Sequence, residues 1–125
     1  MSDHGTFYWN ELNTTEPLRA REFYASTLGW QFEEMPMPGG GTYLIAKQDG
    51  KPVAGVFEMS GPDFEGIPPH WFAYIAVDDV DQRLAAAKRA GAEVIREPFD
   101  VEGVGRIALL KDAVGAAIGW MTPAR

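Results

Sequence analysis

At 125 residues the chain is long enough for one domain with a core and too short for two independent ones. Hydrophobic residues at 46% and charged residues at 23% are the balance of a globular protein and exclude a disordered one. A formal net charge of -7, with no Lys/Arg cluster to offset it, argues against nucleic acid and anionic membranes as partners, and no apolar run approaches the ~20 residues of a membrane-spanning helix.

The start, MSDHGTF, lacks a basic region followed by an apolar stretch. Cysteine is absent, which suits a reducing compartment and removes thiol nucleophiles and thiolate metal sites. The expectation is a cytoplasmic protein in which any metal would need His, Asp or Glu.

Along the chain, one pattern occurs twice. Thr6–Leu12 (TFYWNEL) reads as a strand and Glu16–Leu28 as an amphipathic helix stopped by Gly29. Thr14 or Thr15 can cap that helix, and Pro17 suits its first turn. Leu18, Phe23 or Tyr24, and Leu28 form the stripe expected to face a sheet. Trp30–Met35 resumes strand alternation, and Pro36–Gly41 is a loop. Thr42–Lys47 and Pro52–Met59 are joined by the hairpin signal Asp49-Gly50. Residues 60–70, dense in Gly and Pro, mark a crossover.

The second pass begins with the strand Trp71–Val77 (WFAYIAV) and continues with the helix Val80–Ala90, which Asp78 or Asp79 caps and Gly91 ends. Leu84 and Ala87 with Ala90 supply its apolar side. Glu93–Pro98, Gly105–Lys111 and Ala116–Met121 are the remaining strands, the last two joined through Asp112–Gly115. The predicted class is α+β, eight strands and two helices in two βαβββ modules, at about 5–60 and 70–123 of a single 1–125 domain.

Strand alternation points to a site. In WFAYIAV, Trp71, Ala73, Ile75 and Val77 share the face that suits a covering helix, while Phe72 and Tyr74 lie on the other. The first strand puts Phe7, Trp9 and Glu11 on one face, the counterpart of Phe72 and Tyr74. Large aromatics beside a carboxylate suggest a cavity wall.

The ordered segments EPLRAREFYASTLGW, YIAVDDVDQRLAAAKRAGAEV and ALLKDAVGAAIGW, after an opening strand, resemble the vicinal oxygen chelate superfamily, which contains glyoxalase I, bleomycin-resistance proteins and extradiol dioxygenases. The resemblance implies two βαβββ modules forming a cup-shaped mixed sheet, usually in a homodimer. It also implies a divalent metal held by four side chains, one on the first and one on the last strand of each module. Counted back from the helix-ending glycines, the first-strand positions fall on Trp9 and Phe72. The last-strand positions fall on Gly119 in AAIGW and on Gly55 in VAGVF, or on Glu58 if that alignment slips. Even the slip leaves one carboxylate where catalytic divalent sites recruit three or more ligands, so no metal and no other cofactor is expected.

The expected ligand contacts are Phe7, Trp9, Glu11, Phe57, Phe72, Tyr74 and Met121, an apolar surface with one clear ionisable group. Two functions fit. One is a metal-free binder of a small apolar or aromatic molecule. The other is a cofactor-independent isomerase or lyase in which Glu11 is the general base and Tyr74 or Tyr43 supports the oxyanion. An interaction module whose half-sheets serve to dimerise is a third. His70 and His4 lack neighbouring metal-ligand residues, and Ser26 and Ser60 lack triad partners. Asp78, Asp79 and Asp81 precede a helix and read as caps, and Gly39–Gly41 as a flexible lip.

Overall fold

The structure, a computed structural model, describes residues 3–37 and 41–124. Most of the expected glycine lip lies outside the described residues. The described elements, in chain order, are β1 (Phe7–Thr14), α1 (Pro17–Leu28), β2 (Gln31–Pro36), β3 (Thr42–Gln48), β4 (Lys51–Glu58), β5 (His70–Ala76), α2 (Val80–Arg89), β6 (Glu93–Val101), β7 (Gly105–Lys111) and β8 (Ala117–Pro123). A 3-10 turn, Pro62–Phe64, lies in the crossover. The α+β class and the twofold βαβββ order follow the sequence pattern.

The chain divides into two compact units, Trp9–Trp71 and the remainder. In the first, the strand order is β2-β3-β4-β1. The β2, β3 and β4 strands are antiparallel, and β1 runs parallel to β4. Asp49 and Gly50 both have positive φ, 52° and 79°, the geometry a two-residue hairpin requires for its twist to match the strands. Gly29, at φ 78°, ends α1 with its N–H bonded to Ala25 O at 3.1 Å.

The core of this unit is Leu12, Leu44 and Val56, covered by Ala20, Tyr24 and Phe32. The stripe expected on α1 is corrected in part: Leu18, Phe23 and Leu28 are all more than half exposed, and of the alternatives Phe23 or Tyr24 it is Tyr24 that packs on the core. A helix of 100° per residue puts Ala20 and Tyr24 on one line and Leu18 roughly 200° from Ala20, so contact through Ala20 and Tyr24 turns Leu18 outward. The cap differs too. The N-cap residue is Glu16, which makes no side-chain cap, and the Thr14 hydroxyl accepts the Glu16 N–H at 3.0 Å.

In the second unit the order is β5-β8-β7-β6, with β5 parallel to β8 and the other pairs antiparallel. Gly5 and Thr6 belong here, hydrogen-bonded to Ala76. Asp79 caps α2, its carboxylate accepting the Gln82 N–H at 3.1 Å. Val80, Leu84 and Ala87 are the buried side of α2, set on Val77, Ala108 and Leu110 and flanked by Ile75 and Trp120. Ala90, expected on that side, is exposed, because the helix has ended and Ala90 is its C-cap. Full burial of a side chain such as Leu110 contributes about 1.5–3 kcal/mol relative to exposure.

Candidate functional site

The period-2 alternation of β1 sends Leu12 to the core beneath α1 and puts Trp9 and Glu11 on the opposite face. Strand register extends that face. Glu11 lies opposite Gly55 on β4, and Gly55 opposite Ile45 on β3, so Tyr43, two residues before Ile45, shares it as well.

These side chains meet. The Trp9 indole Nε1–H donates to Tyr43 Oη at 3.0 Å, and the Tyr43 hydroxyl donates to Glu11 Oε1 at 2.9 Å. All three are half-buried. The chain of hydrogen bonds runs in one direction, from indole to phenol to carboxylate, and its last bond has an ionisable acceptor, which strengthens it.

Tyr43 and Glu11 are not on neighbouring strands, since β4 lies between β3 and β1. At about 4.8 Å per strand spacing, their backbones are roughly 10 Å apart. The bridge is possible because Gly55 on the intervening strand has no side chain. A Cβ built there would come within 3.0 Å of Tyr43 Oη, Cζ and Cε2.

The same strand positions in the second unit carry Phe72 and Tyr74. Tyr74 lies opposite Gly119 on β8, just as Glu11 lies opposite Gly55 on β4. The two registers make Gly55 the internal equivalent of Gly119, and Glu58 instead lies opposite Thr14. The Phe72 and Tyr74 rings meet edge to face with centroids 5.3 Å apart. A Cβ on Gly119 would come within 3.0 Å of Tyr74 Cδ2 and Cε2, and 3.1 Å from Phe72 Cε2.

The other candidates fall as follows. Phe57 is half-buried against Phe64 at 5.7 Å, Phe7 is exposed, and Met121 is buried opposite Ile107. Two open clefts, of about 460 and 420 Å³, are lined by the Met59–Ile67 segment in one case and by α2 with Trp120 in the other, and neither is lined by Trp9, Glu11, Phe72 or Tyr74. Tyr43 is the residue missing from the expected contact set. Its signal in the sequence was the small residue in VAGVF: a glycine inside a strand marks the close approach of another group.

The histidines and the acidic cluster have local roles. His70 Nδ1 lies 2.9 Å from Pro68 O, and His4 Nδ1 accepts the Asp78 N–H at 3.0 Å. Ser26 donates to Phe23 O within α1. Arg83 grips Asp78 through two bonds of 2.8 and 2.9 Å, and Arg106 binds both Asp81 and Asp100. The guanidinium hydrogen bonds hold the Asp78 and Asp81 carboxyls below the ordinary range and push both arginines up.

For a metal, the four positions marked by the resemblance carry Trp9, Phe72, Gly55 and Gly119, none with a donor side chain. At both glycines the volume a ligating side chain would need is taken by a tyrosine. Among the described residues, no three or more His, Asp or Glu converge as a metal site. The residues present do not fit the family's chelate centre. Among those residues, too, no helix is long and apolar enough to cross a membrane.

Comparison with known proteins places this geometry in a family. CFP32 of Mycobacterium tuberculosis, which carries a provisional glyoxylase name, is 40% identical over 116 residues, covering 92% of this chain and 44% of its own length. The anthracycline biosynthesis protein DnrV of Streptomyces peucetius is 35% identical over 120 residues, covering 87% and 44%. The chain thus spans less than half the length of these curated relatives. Among solved structures, a hypothetical protein from Bacillus halodurans superposes with a TM-score of 0.73 at 17% identity, over 96% of this chain and 95% of that one. A Streptomyces coelicolor methylmalonyl-CoA epimerase variant gives 0.71 at 20%, over 95% and 97%. With the family description matching residues 6–119, the chain belongs to the Glyoxalase/Bleomycin resistance protein/Dioxygenase superfamily.

Proposed function

We propose that this chain is a metal-free small-molecule-binding protein of the glyoxalase/bleomycin-resistance type, taking an apolar or aromatic ligand. The observation that carries this reading is the Trp9–Tyr43–Glu11 chain. It offers an aromatic surface, one carboxylate to set orientation, and no metal donors at the positions where the family would place them. Trp9, Glu11 and Phe57 are the assigned ligand contacts in the first unit. Phe7, Phe72, Tyr74 and Met121 are those of the second. The name of DnrV is consistent with such a ligand, because an anthracycline is a flat aromatic molecule. The reading includes a homodimer in the cytoplasm, since β2 and β6 each end their strand order with an edge that benefits from cover.

A second reading is a cofactor-independent isomerase or lyase with Glu11, its carboxylate oriented by the Tyr43 hydroxyl, as the general base. Glu11→Gln separates the two. A binder keeps most of its affinity for a compound found by thermal-shift screening and shows no turnover before or after the change. In an isomerase or lyase, Glu11→Gln abolishes turnover and leaves affinity largely intact.

A further inference from the structure

The geometry points to Gly55 and Tyr43 as the positioning residues of the proposed site: Gly55 leaves open the volume that Tyr43's hydroxyl end fills, and Tyr43 from there holds the Trp9 indole and the Glu11 carboxylate in one orientation. This deepens the binding reading above and rests on it for the site's purpose.

Three observations support it. The first is reach. Tyr43 on β3 and Glu11 on β1 are separated by β4, and only a residue without a Cβ at position 55 lets the phenol cross, because any Cβ there would fall inside the ring and hydroxyl. The second is direction. The hydroxyl of Tyr43 accepts from Trp9 and gives its single proton to Glu11, so one group fixes both the aromatic wall and the carboxylate. Holding the indole and the carboxylate at once makes Tyr43 a positioning residue. The third is recurrence. In the second unit another glycine at the same strand position, Gly119, opens space for a tyrosine ring, here Tyr74 from the directly paired strand β5, at the position Glu11 holds in the first unit, and there too a Cβ would collide with the ring. What recurs is the glycine that makes room for a ring; the reach past a strand belongs to Tyr43 alone. In the first unit, the phenol also ties Trp9 to Glu11.

The test uses the full chain labelled with 15N and 13C, and it reads the Trp9 indole N–H and the Glu11 side-chain carboxyl carbon without any ligand. Tyr43→Phe keeps the ring and removes the hydroxyl. The Trp9 indole resonance should then move upfield, its solvent exchange should quicken roughly two- to tenfold, as loss of one ordinary hydrogen bond implies, and the Glu11 carboxyl resonance should shift. Gly55→Ala should reproduce these changes by displacing the phenol. Tyr24→Phe, which removes the hydroxyl that accepts the Trp71 indole N–H at 3.3 Å, should move Trp71 and leave Trp9 and Glu11 in place. If Gly55→Ala does not fold, Tyr43→Phe alone decides. Wild-type resonances for Trp9 and Glu11 in Tyr43→Phe would overturn the inference, whatever the site binds. Shifted resonances uphold it even if Trp9→Ala and Phe72→Ala both leave the affinity for a screened compound unchanged, in which case the binding reading fails and the positioning stands.

Discussion

The phenol of Tyr43 donates to Oε1 of Glu11 at 2.9 Å, across a strand that belongs to neither residue. A bond to an ionised acceptor contributes more than a neutral one, and removing its donor also strips the Trp9 indole of its acceptor. Tyr43→Phe should therefore lower stability by about 1–3 kcal/mol. Urea denaturation followed by circular dichroism measures this, and a midpoint unchanged from wild type would show that the bond is not held in solution.

Acid stability should track the two arginine clusters. Because hydrogen bonds from Arg83 and Arg106 lower the Asp78 and Asp81 carboxyls in the folded chain, their contribution is fully present above the ordinary Asp value of about 4, and it is lost as pH falls through the depressed folded values. The stability of wild type should fall on acidification below about pH 4, and Arg83→Gln with Arg106→Gln should flatten that limb. Both groups are at the surface, so added salt should shrink the difference. Urea midpoints between pH 7 and pH 2 check it; parallel curves for wild type and the double variant would refute the assignment.

The architecture was legible because each element has a local cause. Asp49-Gly50, Gly29 and Asp79 act where the sequence puts them, and the alternation of WFAYIAV separates Ile75 and Val77 beneath α2 from Phe72 and Tyr74. The face of α1 was legible only at Tyr24. Leu18, Phe23 and Leu28 look like a stripe, but which line of a helix meets the sheet depends on crossing geometry, and here it runs through Ala20 and Tyr24. The Tyr43 bridge was hidden for a related reason. Periodicity assigns a side chain to a face and says nothing of how far it reaches over a neighbouring strand, so Gly55 looked like the loss of a ligand when it is the opening for a phenol.

The purified protein should carry no stoichiometric divalent metal. The donor set motivates this: aromatic residues and glycines stand where the family would place ligands, and tyrosines take up the space at both glycines. Elemental analysis after native purification measures it. One tightly held zinc, nickel, iron or manganese per chain, removable only with loss of function, would contradict it.

In solution the protein should be a homodimer, because the edge strands β2 and β6 of the two units benefit from cover. Light scattering at micromolar concentration should give twice the chain mass of 13.7 kDa. A clean species at the chain mass itself would count against the dimer.

The most direct test of metal-free binding at the aromatic-carboxylate group is calorimetric titration of wild type and Trp9→Ala with a compound from a thermal-shift screen of apolar and aromatic molecules, with chelator present throughout. Burying part of an indole face contributes on the order of 1–3 kcal/mol. Trp9→Ala should therefore weaken binding by roughly one to two decades, while wild type binds undiminished in chelator. Full affinity in a folded Trp9→Ala protein, together with full affinity in folded Phe72→Ala, would place the ligand elsewhere and contradict the account.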